Sequence, residues 1–153
     1  MNDDPQHGRA DLENPNRLRY SVSLVKQGDH QFYTLTMPSE ILAQTCVVTT
    51  RDENPIEGFQ RELDPKRADE IARYIDESFG TIPNSIILSA QSAAELKVVG
   101  RGKTLEFNNI PGAFLILDGQ HRVFGFSKAE TSLRVPVVVY GGLSRTQETR
   151  LFI

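Results

Sequence analysis

The sequence predicts an α+β fold, a mixed β-sheet with helices packed on it. Three observations carry the prediction. Short stretches of alternating apolar residues mark strands near both ends of the chain. One long amphipathic stretch between them carries both helix-start and helix-stop signals. Near the middle, the apolar run Ala113-Phe114-Leu115-Ile116-Leu117 passes through Asp-Gly into a second amphipathic stretch, the pattern of a buried strand feeding a helix.

Residues 1–17 are polar, rich in Asp, Asn and Pro, and aperiodic. They read as a disordered tail, leaving 18–153 as one domain. Tyr20 to Val25 alternates, with Tyr20, Val22 and Leu24 on one face, and Phe32 to Met37 alternates again. Gly28-Asp29 between them predicts a β-hairpin. Pro38-Ser39-Glu40 opens a short helix to about Ala43, and Cys46 to Thr50 reads as a third strand. Residues 51–63, charged and holding Asn54-Pro55 and Gly58, read as a loop. Asp64-Pro65 then starts a helix, Asp as N-cap and Pro at the first helical position. Its apolar stripe is Ala68, Ile71, Ala72, Ile75 and Phe79, with an Asp69–Arg73 pair outside and Gly80 as C-cap.

Ser85 to Ala90 reads as a strand and Ser92 to Leu96 as a helical turn. Leu96–Val99 and Thr104–Phe107 form a second hairpin around Gly100-Arg101-Gly102-Lys103, whose cations read better as an exposed turn than as a basic finger. After the 113–117 strand comes a helix to about Glu130. A last strand spans Val135 to Tyr140, where Pro136 predicts an edge or a strand start. Ser144-Arg145-Thr146-Gln147 opens another helix. That helix has only begun at Leu151-Phe152-Ile153, so the chain reads as truncated at its C-terminus.

The chain has 153 residues, 39% hydrophobic and 24% charged, enough for one domain with a core. No apolar run approaches the roughly 20 residues that span a bilayer. The acidic N-terminus lacks the apolar region of a signal peptide. The single cysteine, Cys46, cannot form an internal disulfide, so a cytoplasmic location is expected. The formal charge of −3 advertises no nucleic acid, but it is uneven: residues 1–96 hold 9 Lys/Arg against 16 Asp/Glu, and residues 97–153 hold 8 against 4.

The basic half contains Asp118-Gly119-Gln120-His121-Arg122, at the predicted strand-to-helix turn. Free backbone N–H groups and the positive end of the helix dipole make such a turn a seat for anions. Arg122 can fork onto a phosphate. Gly119 lets a ligand approach the backbone, and His121 can bind phosphate or transfer a proton. Asp118 caps the helix, orients the basic groups or holds a metal ion. The competing structural reading makes Asp118 an N-cap alone, with His121 and Arg122 solvated. Upstream, Gln60-Arg61 precedes a helix whose first turn holds Lys66 and Arg67. Those cations oppose the dipole unless an anion compensates, although Glu62, Asp64, Asp69 and Glu70 also balance them. Cys46 reads as a small core residue. His7 and His30 have no metal-ligand spacing, and no P-loop, dinucleotide fingerprint or nucleophile elbow is present.

The pentapeptide matches the signature of the DGQHR-domain proteins, a family that includes DndB, the repressor-like component of bacterial DNA phosphorothioation systems. Gly58-Phe59-Gln60-Arg61, the helix with Ile71 and Tyr74-Ile75, Pro83-Asn84-Ser85-Ile86-Ile87 and Arg134-Val135-Pro136-Val137 resemble the same family in the same order, over roughly residues 20–153. The wider resemblance is to the ParB/sulfiredoxin-like superfamily, whose equivalent turns hold nucleotide phosphates. By that resemblance Gly119, Gln120, His121 and Arg122 contact phosphates, with Gln60 and Arg61 across from them. Gln120 takes the place of the sulfiredoxin thiol, and an amide is no nucleophile, so sulfinic-acid repair is excluded.

The resemblance implies a DNA-associated, DndB-like regulator in bacterial DNA modification and antiphage defence, with DNA and other modification proteins as partners and no membrane. ATP or CTP, with Mg²⁺ on Asp118, are the implied cofactors. A second reading is a nucleoside triphosphatase or DNA-nicking enzyme using Asp118 and His121, against which stands the lack of a second carboxylate at metal-ligand spacing. A third is a DNA-binding module without nucleotide.

Overall fold

The computed structural model describes residues 9–11, 14–47 and 63–152. The chain opens with β1 (Arg9–Asp11), β2 (Asn14–Ser21), β3 (Ser23–Gln27) and β4 (His30–Pro38), followed by α1 (Ser39–Thr45) and β5 (Cys46–Val47). After the described chain resumes come α2 (Pro65–Ser78), β6 (Ile86–Ala90), a 3-10 turn at Ser92–Ala94, β7 (Lys97–Val99) and β8 (Thr104–Asn108). It closes with β9 (Phe114–Asp118), α3 (Gln120–Lys128), β10 (Arg134–Tyr140) and α4 (Arg145–Phe152). This is the α+β fold that the sequence predicts. Its strands form a four-stranded sheet ordered β1-β2-β8-β7 and a six-stranded mixed sheet ordered β3-β4-β10-β6-β9-β5.

One strand and the start of a second fall inside the stretch expected as a disordered tail: β1 and β2 pair antiparallel, and β2 continues onto β8 from Arg17↔Asn108 to Ser21↔Thr104. The polar composition of 9–17 hides this, because the strands rest on long-range pairing, which local patterning does not report. The alternation of Tyr20 to Val25 also spans two strands. The chain breaks at Val22, whose N–H donates to the Lys103 carbonyl at 2.9 Å, and crosses from the small sheet to the large one. The Gly28-Asp29 hairpin forms as expected, with Gln27 opposite His30 and Gly28 at φ +56°.

The core lies where the two sheets meet. Tyr20 stacks on Phe107 with ring centroids 5.8 Å apart, and Phe107 meets Phe114 edge-on at 5.0 Å. Phe107 and Phe114 are fully buried; truncating either to Ala costs about 3–5 kcal/mol. Along β10, Val135, Val137 and Val139 alternate into this core. Pro136 is the third residue of a strand paired on both sides, neither at a sheet edge nor first in the strand, but it lies in the part that β4 alone pairs, since β6 joins β10 only from Val137 onward.

The helix α2 begins as predicted: the Asp64 side chain accepts the Lys66 N–H at 3.0 Å and Pro65 takes the first position. Ala68, Ala72 and Ile75 are buried, but Phe79 is 87% exposed and leaves the expected stripe. Phe79 itself holds the left-handed terminal position at φ 49°, and Gly80 follows it. Glycine is needed at 80 because the Tyr74 ring lies there: a Cβ would fall 2.2 Å from the ring. Asp69, expected to pair with Arg73, places Oδ1 2.9 Å from Lys128 Nζ on α3. The two helices approach closely at Gly125, where a Cβ would sit 2.6 Å from Ile71 Cγ2. At their C-terminal ends Asp76 accepts the N–H groups of Glu130 and Thr131, each at 2.9 Å, and these bonds hold its carboxyl below the usual range. Ser144 and Gln147 exchange side chain-to-backbone bonds at the start of α4, a capping box. Buried Glu148 ties that helix to Ser89 and Gln91.

Candidate functional site

The antiparallel β6–β9 pair sets the site. Ile87 lies opposite Asp118, so the start of β6 arrives beside the end of β9. There the chain turns through Gly119, whose φ of +105° is one that residues with a side chain rarely adopt. A Cβ at 119 would stand 2.6 Å from Ile86 Cδ1 and 3.1 Å from Arg122 Nη2. Gly119 caps α3 with no side-chain bond, and its carbonyl takes the Val123 N–H at 3.0 Å. The N–H groups of Gln120, His121 and Arg122 therefore stand at the open end of the helix, where they have no intrahelical acceptor.

Each motif side chain has a distinct setting. The Arg122 guanidinium donates through Nη1 to the carbonyls of Asn84 at 2.7 Å and Ser85 at 3.2 Å, and Nη2 stands 3.6 Å from Asp118 Oδ2. Burial lowers its pKa from the usual value, Asp118 opposes that shift and Arg67 adds to it; arginine remains charged nonetheless. His121 Nε2 accepts the Asp64 backbone N–H at 2.9 Å, which joins the start of α3 to the start of α2. That acceptor role places the ring proton on Nδ1. Gln120 is only 7% exposed and lines the cavity. Asp118 is exposed.

These five residues face one cavity of about 850 Å³, walled on the other side by α2 and the 81–84 segment. Arg67, Glu70, Ile71 and Tyr74 line it from α2, at the i, i+3, i+4, i+7 spacing of one helix face. Arg67, which the sequence reads slightly more as a solvated charge than as a ligand, opens into the cavity; Lys66 is exposed at the helix start. Tyr74 was legible only as part of a family-like helix. Its hydroxyl contacts both the N–H and the carbonyl of Thr81 at 3.3 Å. The stripe 67, 70, 71, 74 is the signal that marks both residues, and it is masked by the overlapping core stripe of the same helix.

Gln60 and Arg61, expected across from the motif, lie outside the described residues, as do His7 and the 51–62 loop. Gly100-Arg101-Gly102-Lys103 is the β7–β8 turn, with Gly100, Arg101 and Gly102 all at positive φ. Cys46 is partly buried in β5, and burial pushes its thiol up to about 12. Among the described residues no three His, Cys, Asp or Glu gather as a metal cluster. Asp118 fits a magnesium ion only in the manner of ions carried largely by ligand phosphates and waters. None of the described helices is long and apolar enough to cross a membrane.

Comparison with curated proteins finds no match. A family model, DndB, described as DNA-sulfur modification-associated, matches residues 20–152. That span takes in both sheets from β3 onward, the two helices that wall the cavity and the turn between them. The chain therefore belongs to the DndB family of DNA-sulfur modification-associated proteins.

Proposed function

We propose that this protein is a DNA-associated regulator of a DNA-sulfur modification system, and that the cavity at the start of α3 binds the phosphates of a nucleotide or of DNA. One observation carries the reading. A helix start without a side-chain cap, the Arg67 guanidinium and the Arg122 guanidinium share one cavity, and Arg67 is close enough to disfavour the charge on Arg122. Like charges held together beside an open helix start are stabilised by an anion between them. Gly119, Gln120, His121 and Arg122 supply the turn, with Gln60 and Arg61 proposed to approach from outside the described residues. A magnesium ion would be held by Asp118 together with the ligand phosphates; it would neutralise phosphate charge.

Calorimetric titration with ATP and CTP, each with Mg²⁺, and with duplex DNA at two salt concentrations tests this reading. Binding that weakens in Arg67→Ala supports it. DNA binding with a steep salt slope that is insensitive to nucleotide favours the DNA-phosphate form. No heat with any of the three, at millimolar nucleotide, removes the phosphate reading.

A further inference from the structure

The cavity holds one side chain that a bare phosphate site has no use for. Tyr74 is an aromatic residue left 47% exposed on a wall that also carries Arg67, Glu70 and Ile71. Its ring packs over Gly80. Gly80 lies so close that a Cβ there would fall within 2.2–2.4 Å of three ring carbons, and the hydroxyl is held by both backbone groups of Thr81 at 3.3 Å. A ring fixed at one face by backbone and open at the other is a pre-set stacking platform.

The rest of the wall gives the platform a direction. Arg67 and Tyr74 are two helical turns apart on one face of α2, about 10 Å along the axis. Glu70 lies between them on the cavity wall. Its carboxylate repels phosphate from the middle and the Tyr74 end, so an anionic group belongs at the Arg67–Arg122 end. Gln120, 7% exposed on the cavity wall, adds an amide beside the middle of that path. A ligand with phosphate at one end, a polar middle and a flat aromatic at the other fits this order. The cavity's 850 Å³ falls within the range that encloses molecules of that size.

We infer that the cavity takes an unpaired nucleotide, its phosphate on the α3 start and Arg67 and its base stacked on Tyr74. The inference rests on the phosphate reading above and adds the base. A paired base within a duplex has both faces covered by its neighbours, so only a free nucleotide or one turned out of a strand can use Tyr74. Those two sources share the same chemistry.

The test compares ligands with and without a base on the whole chain. ATP is expected to bind about tenfold more tightly than tripolyphosphate. Tyr74→Leu should abolish that ratio while leaving tripolyphosphate affinity in place, and Tyr74→Phe should keep most of it. Retained tripolyphosphate binding certifies that each variant is folded at the site. Equal affinity for ATP and tripolyphosphate, unchanged by Tyr74→Leu, overturns the base platform and leaves the phosphate reading standing. Failure of both ligands and of DNA to bind overturns that reading and this inference with it. A 2-aminopurine nucleotide and a single-stranded oligonucleotide carrying one 2-aminopurine separate the sources: fluorescence quenching in the first alone assigns a free nucleotide, and in the second alone a strand. Equal quenching within a fully paired duplex contradicts the requirement for an unpaired base.

Discussion

Two helices begin at the same place in this molecule and begin differently. At the start of α2 the chain closes on itself: the Asp64 carboxylate takes the Lys66 N–H, and Pro65 presents no N–H to satisfy. At the start of α3 a glycine stands where the cap should be, no side chain reaches back, and the next residue is a buried amide facing a cavity. The spare Asp64 N–H is given to His121 of the neighbouring helix. The difference teaches which end is structural. A capped start is complete without a ligand, whereas a start with no side-chain cap beside two guanidiniums would favour an anion under the proposed reading.

The contrast can be broken most severely at Gly119. Gly119→Val puts a branched side chain at φ +105°, with its Cβ against Ile86. A loss of about 2–3 kcal/mol of unfolding free energy in urea titration is expected; a variant as stable as the parent would show that the turn relaxes without glycine. Arg67→Ala should leave unfolding within about 0.5 kcal/mol of the parent but weaken phosphate-ligand affinity about tenfold, close to 1.4 kcal/mol. If stability falls and affinity holds, Arg67 belongs to the fold and not to the site. Asp64→Ala should do the reverse, costing about 1 kcal/mol of stability with ligand affinity unchanged. An affinity loss there would mean that the α2 cap is part of the site after all.

The smallest effect is expected at the opposite ends of the same helices. Asp76 has its carboxyl held below the ordinary value of 3.8 by the N–H groups of Glu130 and Thr131. A lowered folded-state pKa gives stability that is present above 3.8 and lost as pH falls through the folded value. The stability gap between the parent and Asp76→Asn should therefore be open at neutral pH and narrow in strong acid. A gap that is constant with pH would assign the effect to shape, not charge.

How far the sequence foretold this depends on whether the determining interaction is local. Asp64-Pro65 fixes the start of α2, and the apolar run into Asp118-Gly119 fixes the strand-to-helix turn, because caps and turn geometry are local chemistry. The pairing of β2 with β8 is invisible to local patterning, since its partner is some 90 positions away. Phe79 misled for a related reason: helical spacing places it on the apolar stripe, but the helix has already ended in a left-handed residue there. At the site, the motif announced itself by composition. Arg67 and Tyr74 did not, because one helix carries two overlapping stripes, one for the core and one for the cavity, and only the packing of α2 on α3 separates them.

That packing has a kinetic consequence. With glycine at 125, α2 and α3 approach until Ile71 is almost against the α3 backbone, and ion and hydrogen bonds clamp them at His121, Lys128 and Asp76. The two walls of the cavity thus move as one body. A ligand entering it would meet these two walls already in place, so its arrival would need no movement of α2 against α3.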